Sequence, residues 1–481
     1  MNTFPPSMLV KSISVAAANA TVSPGTLQPW VDEVEAHVRE NGKFTKSQVL
    51  YFPLSPPPVF WDYKCRKCRF WQGPNGCRVV EGEISPRGWC LTPDTRILTP
   101  NGPRAIEGIR PGDLVFSWNN KLEEVTVMAT SQRWVRQEVI HIKPHYLPLL
   151  RLTPNHKIDV VRYKYTRRGG PRGNPQWTEL LDFESLSAGD LYNEVRSHSE
   201  RGPFFAVIMP IDKRAEVWPD GLDDKACDFL GWYAAEGSRF SKSNRGVTFT
   251  LGVQEYEVAA RLKSFAEKRF GSTVHIREKI DRRIGRGKVI TVRCRGTDIQ
   301  KFVEQYIYGH NALEKRLAGE MQRLPIRLQS AFMDSWITGD GYKRKDGWHV
   351  STASLDLAIQ GQQMLLRAGQ VTSFRRESRK RTIKINGREI RNAHPLFGLT
   401  IAKEGHLRVH KEEDFVAVPL HQNTPERGVS SSEYEGIVCN IQTPLQNYVT
   451  ASGVVHNCAI WLPPADKPAF SWPNELMRGD W

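Results

Sequence analysis

Two short stretches near opposite ends of the chain contain residues that can break and form peptide bonds. Cys90 lies in PRGWCLTPDT (86–95), and Cys458 lies in SGVVHNCAIW (452–461), where it directly follows Asn457. A thiol beside a peptide carbonyl can attack that carbonyl and exchange the amide for a thioester. An asparagine amide can attack its own backbone carbonyl and release the residue that follows. These residue types at these two junctions predict that the chain can cut itself.

The same reactions, taken in order, would rejoin the flanks while the middle segment leaves. Cys90 would move the acyl group of Trp89 onto its thiol, and Cys458 would capture that group by transthioesterification. Cyclisation of Asn457 would then release residues 90 to 457, a segment of 368 residues. Rearrangement of the new thioester to an amide completes the exchange. Because bonds of similar energy are exchanged, we expect splicing to need no cofactor.

The segment between the junctions resembles an intein, the self-splicing insert of protein precursors, at three places. CLTPDTRILTPNGPRAIEGIRPGDLVFSWN resembles the start of the family, RLTPNHKIDV its TxxH element, and YEGIVCNIQTPLQNYVTASGVVHNC its closing blocks. The resemblance implies a horseshoe-shaped, all-β splicing domain, the Hint fold. It also implies that Thr153 and His156 polarise the peptide before Cys90 and protonate its leaving amine. His456 would assist the cyclisation of Asn457.

Two positions depart from the intein pattern. Asn440, preceded by Cys439, stands where many inteins have an Asp that helps to coordinate the steps. Gln446 stands where many have a His before the dipeptide NY. Neither change removes a bond-breaking group, but both leave the general acid undecided, with Asn440 and Cys439 as candidates.

Two acids near the middle of the chain follow a repeated pattern. CDFLGWYAAEGSRF (227–240) and SAFMDSWITGDGYKR (330–344) each read as an apolar helix that ends in an acid beside a glycine. Small residues near the helix ends would let two such helices approach closely. This would bring Glu236 and Asp340 side by side. Paired carboxylates of this kind suit Mg²⁺, which takes one or two carboxylates together with phosphate oxygens and water.

This repeat resembles the LAGLIDADG homing endonucleases in their single-chain, two-repeat form. The resemblance implies that Glu236 and Asp340 bind the metal and that a monomer with two pseudo-repeats cuts double-stranded DNA. Basic, β-prone stretches at 274–296 and 373–403 alternate Lys or Arg with Val and Ile, as a DNA-reading β ribbon would. Lys288 and Lys403 are candidates for stabilising charge in the transition state.

The flanks contain a third group of chemically active residues. Joining Trp89 to Cys458 gives four cysteines with two, eight and twelve residues between them, namely Cys65, Cys68, Cys77 and Cys458. Four thiolates on a short, loop-rich segment can hold Zn²⁺ or an iron-sulfur cluster, and spacing does not choose between them. The joined flanks resemble high-potential iron-sulfur proteins, which implies a [4Fe-4S] cluster for electron transfer and a redox partner.

Length and charge are compatible with these interpretations. The chain has 481 residues and a formal charge of +15, of which the flanks 1–89 and 458–481 carry only +2. The basic excess therefore lies in the segment that would bind DNA. No stretch of about 18 apolar residues is present, so we expect a cytoplasmic protein without a membrane partner. Cys227 and Cys294 are expected to be buried hydrophobic residues.

The elements that must position these residues follow from the hydrophobic pattern. Residues 90–160 and 434–457 alternate short apolar runs with Gly, Pro and Asn turns, which predicts β hairpins, whereas 216–415 mixes helices with basic strands. The predicted fold is multidomain, with an all-β Hint domain, an inserted α+β LAGLIDADG endonuclease and a small loop-rich iron-sulfur host. The predicted boundaries are host 1–89, Hint 90–215, endonuclease 216–415, Hint 416–457 and host 458–481.

Two other interpretations remain open at this stage. The nuclease could be a degenerate relic within an insert that still splices. Alternatively, the chain could be a basic DNA-binding protein with a structural zinc site, in which case no 368-residue fragment would form.

Overall fold

The computed structural model describes most of the segment between the two junctions. The described ranges are 90–167, 175–197, 204–240, 245–281, 287–345, 347–377, 382–385, 388–391, 394–402, 409–420 and 428–457, with short pieces at 32, 36, 38–40, 71–72 and 76–77. Cys65, Cys68, Lys403 and Cys458 lie outside the described residues. Cys77 is described only through its backbone, in a two-stranded hairpin where it pairs with Trp71.

The first half of the predicted Hint region is built almost entirely from strands, as the sequence pattern predicts. The strands up to residue 210 are β1 Trp71–Gln72, β2 Gly76–Cys77, β3 Arg96–Ile97, β4 Arg104–Ala105, β5 Leu114–Trp118, β6 Leu122–Thr126, β7 Ala129–Ile142, β8 Leu150–Leu152, β9 Lys157–Arg167, β10 Pro175–Ser187 and β11 Phe204–Pro210. One helix, α1 (Ala188–Ser197), interrupts them and buries Leu191 and Val195.

The inserted region alternates helices with strands. Its helices are α2 Asp224–Glu236, α3 Tyr256–Phe270, α4 Thr297–Tyr306, α5 Ile326–Asp340 and α6 Leu355–Arg367. Its strands are β12 Gly237–Arg239, β13 Gly246–Gly252, β14 Thr273–Asp281, β15 Gly287–Arg295, β16 Ile307–Tyr308, β17 Arg316–Leu317, β18 Gly341–Arg344, β19 Gly347–Thr352, β20 Ser373–Glu377, β21 Thr382–Ile385, β22 Arg388–Arg391 and β23 Leu396–Ala402. Within the described residues, short 3₁₀ turns occur at Ile106–Gly108, Val253–Glu255 and Gly319–Arg323.

The remaining strands complete the β frame. They are β24 His410–Lys411, β25 Phe415–Pro419, β26 Val429–Gln442, β27 Asn447–Thr450 and β28 Gly453–His456. The largest sheet runs in the order β24, β25, β11, β9, β28, β27, β3, β4, with β10 also paired to β9. Strands from the two ends of the segment therefore lie beside one another in one sheet. A second sheet, β26, β7, β8, supports it.

The helical region is inserted between two neighbouring strands of the large sheet. β11 and β25 are antiparallel partners, and Pro210 lies opposite Phe415. The insertion therefore begins and ends at one place on the sheet edge and leaves the sheet hydrogen bonds intact. The predicted boundary at residue 415 falls inside this sheet, because β24 at His410–Lys411 already pairs with β25.

The inserted region consists of two halves with the same strand order. The first sheet runs β12, β13, β15, β14, and the second runs β18, β19, β23, β20. In both halves a long helix leads into the first strand, so Glu236 ends α2 immediately before β12 and Asp340 ends α5 immediately before β18. The predicted two-fold repeat is confirmed at the level of topology.

Close packing of α2 against α5 places the two acids at the same end of the pair. A Cβ added to Gly231 would lie 2.3 Å from the carbonyl oxygen of Phe332, and one on Gly339 would lie 2.6 Å from the Cβ of Ala235. Both distances are shorter than side-chain contacts allow. The small residues are therefore what lets these helices touch through their backbones.

Polar contacts fix the second half of the insertion on the β frame. The backbone carbonyl of Tyr146 accepts hydrogen bonds from the Phe374 amide at 3.0 Å and from Gln362 Nε2 at 2.8 Å. Arg96 Nε donates to Asp356 Oδ1 at 2.7 Å. Buried apolar residues form one continuous cluster across this contact. Among the described helices, none is long and apolar enough to cross a membrane.

The helix contact generates a stability prediction. Replacing Gly231 by Ala should lower the free energy of unfolding by about 1 to 3 kcal/mol, because the new methyl group forces α2 and α5 apart. This loss should exceed the gain of about 1 kcal/mol that Ala brings to a helix interior. Urea unfolding followed by circular dichroism measures the difference.

Gly108→Ala is the matched control, since a Cβ there meets nothing within 4 Å. Equal stability of Gly231→Ala and the parent would contradict the close helix contact.

Candidate functional site

The backbone of Cys90 is held directly by Thr153. Cys90 N donates to Thr153 Oγ1 at 3.0 Å, and Thr153 N donates to the Cys90 carbonyl at 2.9 Å. The two residues meet because Leu91 forms an antiparallel bridge with Leu152 of β8. Cys90 and Thr153 are both fully buried. The backbone nitrogen of Cys90, which belongs to the peptide bond with Trp89, is therefore held by the hydroxyl group of Thr153.

His156 follows Thr153 in a tight turn and lies in the interior. His156 N donates to the Thr153 carbonyl at 2.9 Å, and neither ring nitrogen has a hydrogen-bond partner among the described residues. Burial, with a smaller contribution from the nearby His456, lowers the pKa of His156 to about 3. The imidazole is therefore uncharged at neutral pH.

Asn457 is buried at the end of β28, where two groups orient it. Its backbone N–H donates to the carbonyl of Gln446 at 3.0 Å, and its Oδ1 accepts from Thr443 Oγ1 at 3.2 Å. Gln446 adopts φ of 58° in the turn between β26 and β27. The residue that replaces the expected His thus contributes a backbone carbonyl to the junction.

His456 contacts two residues that sequence reasoning missed. Its Nε2 lies 2.6 Å from Asp159 Oδ1 and 2.9 Å from Ser185 Oγ. Asp159 lies on β9, three residues after His156 in the sequence. This short spacing was the signal in the sequence that could have identified it. Ser185 lies on β10 and pairs with Asp159 across the strands, which only the strand register reveals.

Strand pairing brings the two junctions together. Val455 of β28 lies opposite Ile158 of β9, so the residues after His156 run alongside those before Asn457. The structure thus places Thr153, His156, His456 and Asn457 in one region, as the intein resemblance predicts. Trp89 and Cys458 lie outside the described residues.

The two alternative candidates near Cys90 differ in their environment. Leu91 and Cys439 exchange backbone hydrogen bonds of 2.8 and 2.7 Å, so the register places Cys90 opposite Asn440. Asn440 Oδ1 accepts from Ile441 N at 2.9 Å and from the Tyr448 hydroxyl at 3.0 Å.

The environment of Cys439 works against a role in proton transfer. Burial first, and then proximity to Cys90, raises the pKa of Cys439 to about 12. The thiol therefore stays protonated at neutral pH. A thiol with so high a pKa is a weak proton donor.

The second site is the pair of acids at the ends of α2 and α5. Burial, followed by the charge of Asp340 and then that of Glu255, raises the pKa of Glu236 to about 7. Burial also raises the pKa of Asp340 to about 6, against the opposing effects of Trp336 and Lys315. Trp336 Nε1 donates to Asp340 Oδ2 at 3.1 Å.

Lys315 is a further residue at this site that the sequence analysis did not select. Its Nζ donates to the carbonyls of Tyr233, Ala234 and Gly237, each at 2.9 Å, and its side chain is buried. Burial lowers the pKa of Lys315 to about 8, although both acids favour its charged form. No periodicity marks this lysine, because it reaches the site from the segment between the repeats.

The acid pair fits a divalent cation. Both side chains offer oxygen ligands, and their burial beside one another leaves negative charge that a cation would neutralise. Within the described residues no group of three or more His, Cys, Asp or Glu forms a metal cluster. A cation at this site would therefore take its remaining ligands from water or phosphate oxygens.

The strands that follow each acid present a polar face. On β14 and β15, Val274 and Val292 are buried, whereas Arg277, Arg293 and Arg295 are exposed. This agrees with the alternation expected from the sequence. Lys288 is also exposed on β15, but the pKa changes of Glu236 and Asp340 name Lys315, and not Lys288, as the cation near the acids.

The raised pKa of Glu236 generates a pH prediction. Its folded-state pKa of about 7 exceeds the ordinary value of 4.5, so the folded protein binds more protons than the unfolded chain between these values. Stability is therefore lost as the pH rises through this window. Glu236→Gln should remove that loss and make the protein more stable than the parent at pH 8, by about 1 kcal/mol, with little difference at pH 4.

Urea unfolding at both pH values in the presence of a chelator measures this effect. Glu257→Gln on the exposed face of α3 is the control. The same difference between Glu236→Gln and the parent at both pH values would contradict the assigned cause.

Comparison with known families agrees with this architecture. Residues 89–158 match the Hint domain family, and residues 226–306 match the LAGLIDADG-like domain family. Among solved structures, the homing endonuclease I-DmoI in complex with DNA and Mn gives a TM-score of 0.27 at 12% identity, over 37% of this chain and 89% of that chain.

Two curated relatives are longer than this chain. An uncharacterized protein of Methanocaldococcus jannaschii is 24% identical over 426 residues, which cover 79% of this chain and 52% of the relative. An ATP-dependent DNA helicase of Thermococcus kodakarensis is 21% identical over 420 residues, covering 77% and 36% respectively. The chain thus spans about half the length of the first of these relatives and about a third of the second.

The flank gives a short match of its own. A high-potential iron-sulfur protein of Rhodopila globiformis is 46% identical over 28 residues, which are 6% of this chain and 49% of that protein. The two domain matches cover the first junction and the first acid-bearing repeat. Two separate parts of the chain therefore match two different domain families.

Proposed function

We propose that this chain is an intein precursor that splices itself and whose excised segment is a homing endonuclease. The observation that carries the splicing proposal is that both junctions lie beside the turn Thr153–His156, which connects β8 of the second sheet to β9 of the large sheet. Thr153 holds the nitrogen of Cys90 at 3.0 Å, while β28 brings His456 and Asn457 alongside the His156 segment. Such positioning replaces a rare encounter between distant chain ends by an intramolecular reaction.

At the first junction, the Cys90 thiol attacks the Trp89 carbonyl. The thiol proton is transferred to the departing Cys90 nitrogen, which Thr153 holds by its hydrogen bond, while His156 polarises this peptide bond. The amide becomes a thioester, and Cys458 then takes over the acyl group.

At the second junction, the Asn457 side-chain nitrogen attacks the Asn457 carbonyl carbon. The hydrogen bonds from Thr443 and to Gln446 restrict this residue to one orientation before the reaction. The bond to Cys458 breaks, a succinimide forms, and the freed amine leads to a normal peptide bond between Trp89 and Cys458.

The splicing proposal predicts the fate of the purified chain. Under reducing conditions the parent should yield two products, the segment 90–457 and the joined flanks. The double variant Cys90→Ala with Asn457→Ala should stay a single chain, because both bond-breaking groups are gone. Intact-mass spectrometry distinguishes the products.

Cys227→Ala with Cys294→Ala is the control, since both thiols are buried away from the junctions and burial raises the pKa of each to about 12. This pair should splice normally. A parent that persists at full length would overturn the proposal and favour a DNA-binding protein that does not splice.

The nuclease proposal is supported by the acid pair and the exposed arginines. Glu236 and Asp340 would hold Mg²⁺, which supplies charge neutralisation for phosphodiester cleavage. Lys315 adds a buried positive charge beside them. The exposed faces of β14 and β15, and of their counterparts in the second half, would contact the DNA as a two-part surface of one monomer.

Cleavage gives a direct test of this second activity. Glu236→Gln and Asp340→Asn should each reduce cutting of a duplex that encodes the uninterrupted host by about 100-fold or more, while DNA binding remains. Incubation of a plasmid with Mg²⁺ measures cutting, and gel shift measures binding.

Glu257→Gln should cut normally. A parent that binds the duplex without cutting it would show that the nuclease is a relic.

We further propose that the spliced flanks form a small iron-sulfur electron-transfer protein, with zinc as the alternative. The support is the four-cysteine spacing of Cys65, Cys68, Cys77 and Cys458 together with the 28-residue similarity. A visible absorption band in the spliced product that bleaches with reductant would favour the cluster over zinc.

A further inference from the structure

Three side chains form a connected hydrogen-bonded group beside the second junction. His456 Nε2 lies 2.6 Å from Asp159 Oδ1 and 2.9 Å from Ser185 Oγ. Ser185 Oγ also donates to Asp159 Oδ1. One ring nitrogen of His456 is therefore committed to the carboxylate and the hydroxyl.

Three adjacent strands of the large sheet build this group. Asp159 lies on β9, Ser185 is its direct cross-strand partner on β10, and the pairing of Val455 with Ile158 places His456 of β28 on the other side. The β10 strand continues the hairpin from β9 and carries Ser185 to this position. The contacts are thus a property of sheet register and not of a mobile loop.

Partial burial makes the hydrogen bond between His456 and Asp159 more than a surface contact. The side chains of His456 and Asp159 are only 24% and 16% exposed. Screening by water weakens exposed pairs, but it acts less on a charge-assisted hydrogen bond that is shielded on most sides. Asp159 can therefore control which nitrogen of His456 carries the proton.

We infer that Asp159, assisted by Ser185, is a positioning residue that orients His456 for the cyclisation of Asn457. This inference rests on the proposed splicing function. Asp159 holds Nε2–H, which leaves the Nδ1 lone pair of His456 available as a base.

The proton balance of the step follows from this tautomer. As the Asn457 side-chain nitrogen bonds to its own carbonyl carbon, Nδ1 accepts one proton from that nitrogen. The same proton then passes to the nitrogen of Cys458 as the old peptide bond breaks. The imidazolium that exists in between is stabilised by the Asp159 carboxylate. No other reactant is consumed.

This role of Asp159 accounts for cyclisation of Asn457 in a chain that has Gln, and not the expected His, at position 446. The backbone carbonyl of Gln446 accepts a hydrogen bond from Asn457 N, and a glutamine amide does not titrate as a histidine does. Asp159 and Ser185 instead fix the ring that remains. A different histidine therefore acts at each junction. The neutral His156 acts at the first, and His456, which is hydrogen-bonded to a carboxylate, acts at the second.

The test measures the two junctions separately in the full chain. In a Cys90→Ala background, release of residues 458–481 reports the Asn457 reaction alone. Asp159→Asn should slow this release by about tenfold or more, and Asp159→Glu should recover part of the rate. In an Asn457→Ala background, cleavage before Cys90 by dithiothreitol reports the first junction, and Asp159→Asn should leave its rate within about twofold.

Asp182→Asn is the matched control, because Asp182 is exposed on the same strand as Ser185. ¹⁵N NMR of His456 in the double variant Cys90→Ala with Asn457→Ala provides a readout independent of rate. It should show the Nε2-protonated tautomer, and Asp159→Asn should give a mixture of tautomers.

Each outcome decides the question. Equal release rates for Asp159→Asn and its parent, or an unchanged tautomer, would overturn the inference while splicing stands. Loss of both junction reactions in Asp159→Asn would show a purely structural role and also overturn it. If the Cys90→Ala parent releases nothing, the proposed splicing chemistry fails at this junction, and the inference fails with it.

Discussion

The pairing of β28 with β9 is the constraint on which the candidate chemistry depends. Two neighbouring strands from the end of the segment, β28 and β27, lie between β9 and β3 from its first part. A slip of one residue in this register would turn every side chain to the opposite face. Because Val455 and Ile158 are both fully buried, the apolar core itself fixes the register. The same hydrophobic contact that stabilises the sheet therefore sets the positions of His456 and Asn457.

Burial controls the protonation of reactive groups at both sites. At the first junction it keeps the His156 imidazole uncharged, and between the helices it raises the pKa of both acids while it lowers that of Lys315. In each case burial favours the uncharged form, because a low-dielectric environment disfavours charge. At the junction the result is a neutral imidazole, whereas at the acid pair it is a site whose charge a divalent cation would balance.

The position of the insertion explains how one chain accommodates two sites. β11 and β25 are hydrogen-bonded neighbours, so the helical region closes on adjacent positions of one sheet edge. Insertions at such points cost little, since the entropy of closing a loop rises slowly with its length. Contacts such as Arg96 with Asp356 then hold the insertion against the β frame.

The sequence by itself determined the β and helical regions, and it identified the candidate junction residues and the two acids, because these depend on local spacing and hydrophobic periodicity. It also identified the small residues of α2 and α5, such as Gly231, whose packing role follows from their size. Tertiary structure alone decided the partners that come from distant strands. Asp159 and Ser185 reach His456 through sheet register, Lys315 reaches the acids from a segment without periodicity, and Gln446 acts through a backbone carbonyl. Side-chain type and spacing do not encode such contacts, since they arise only when strands far apart in the chain are packed together.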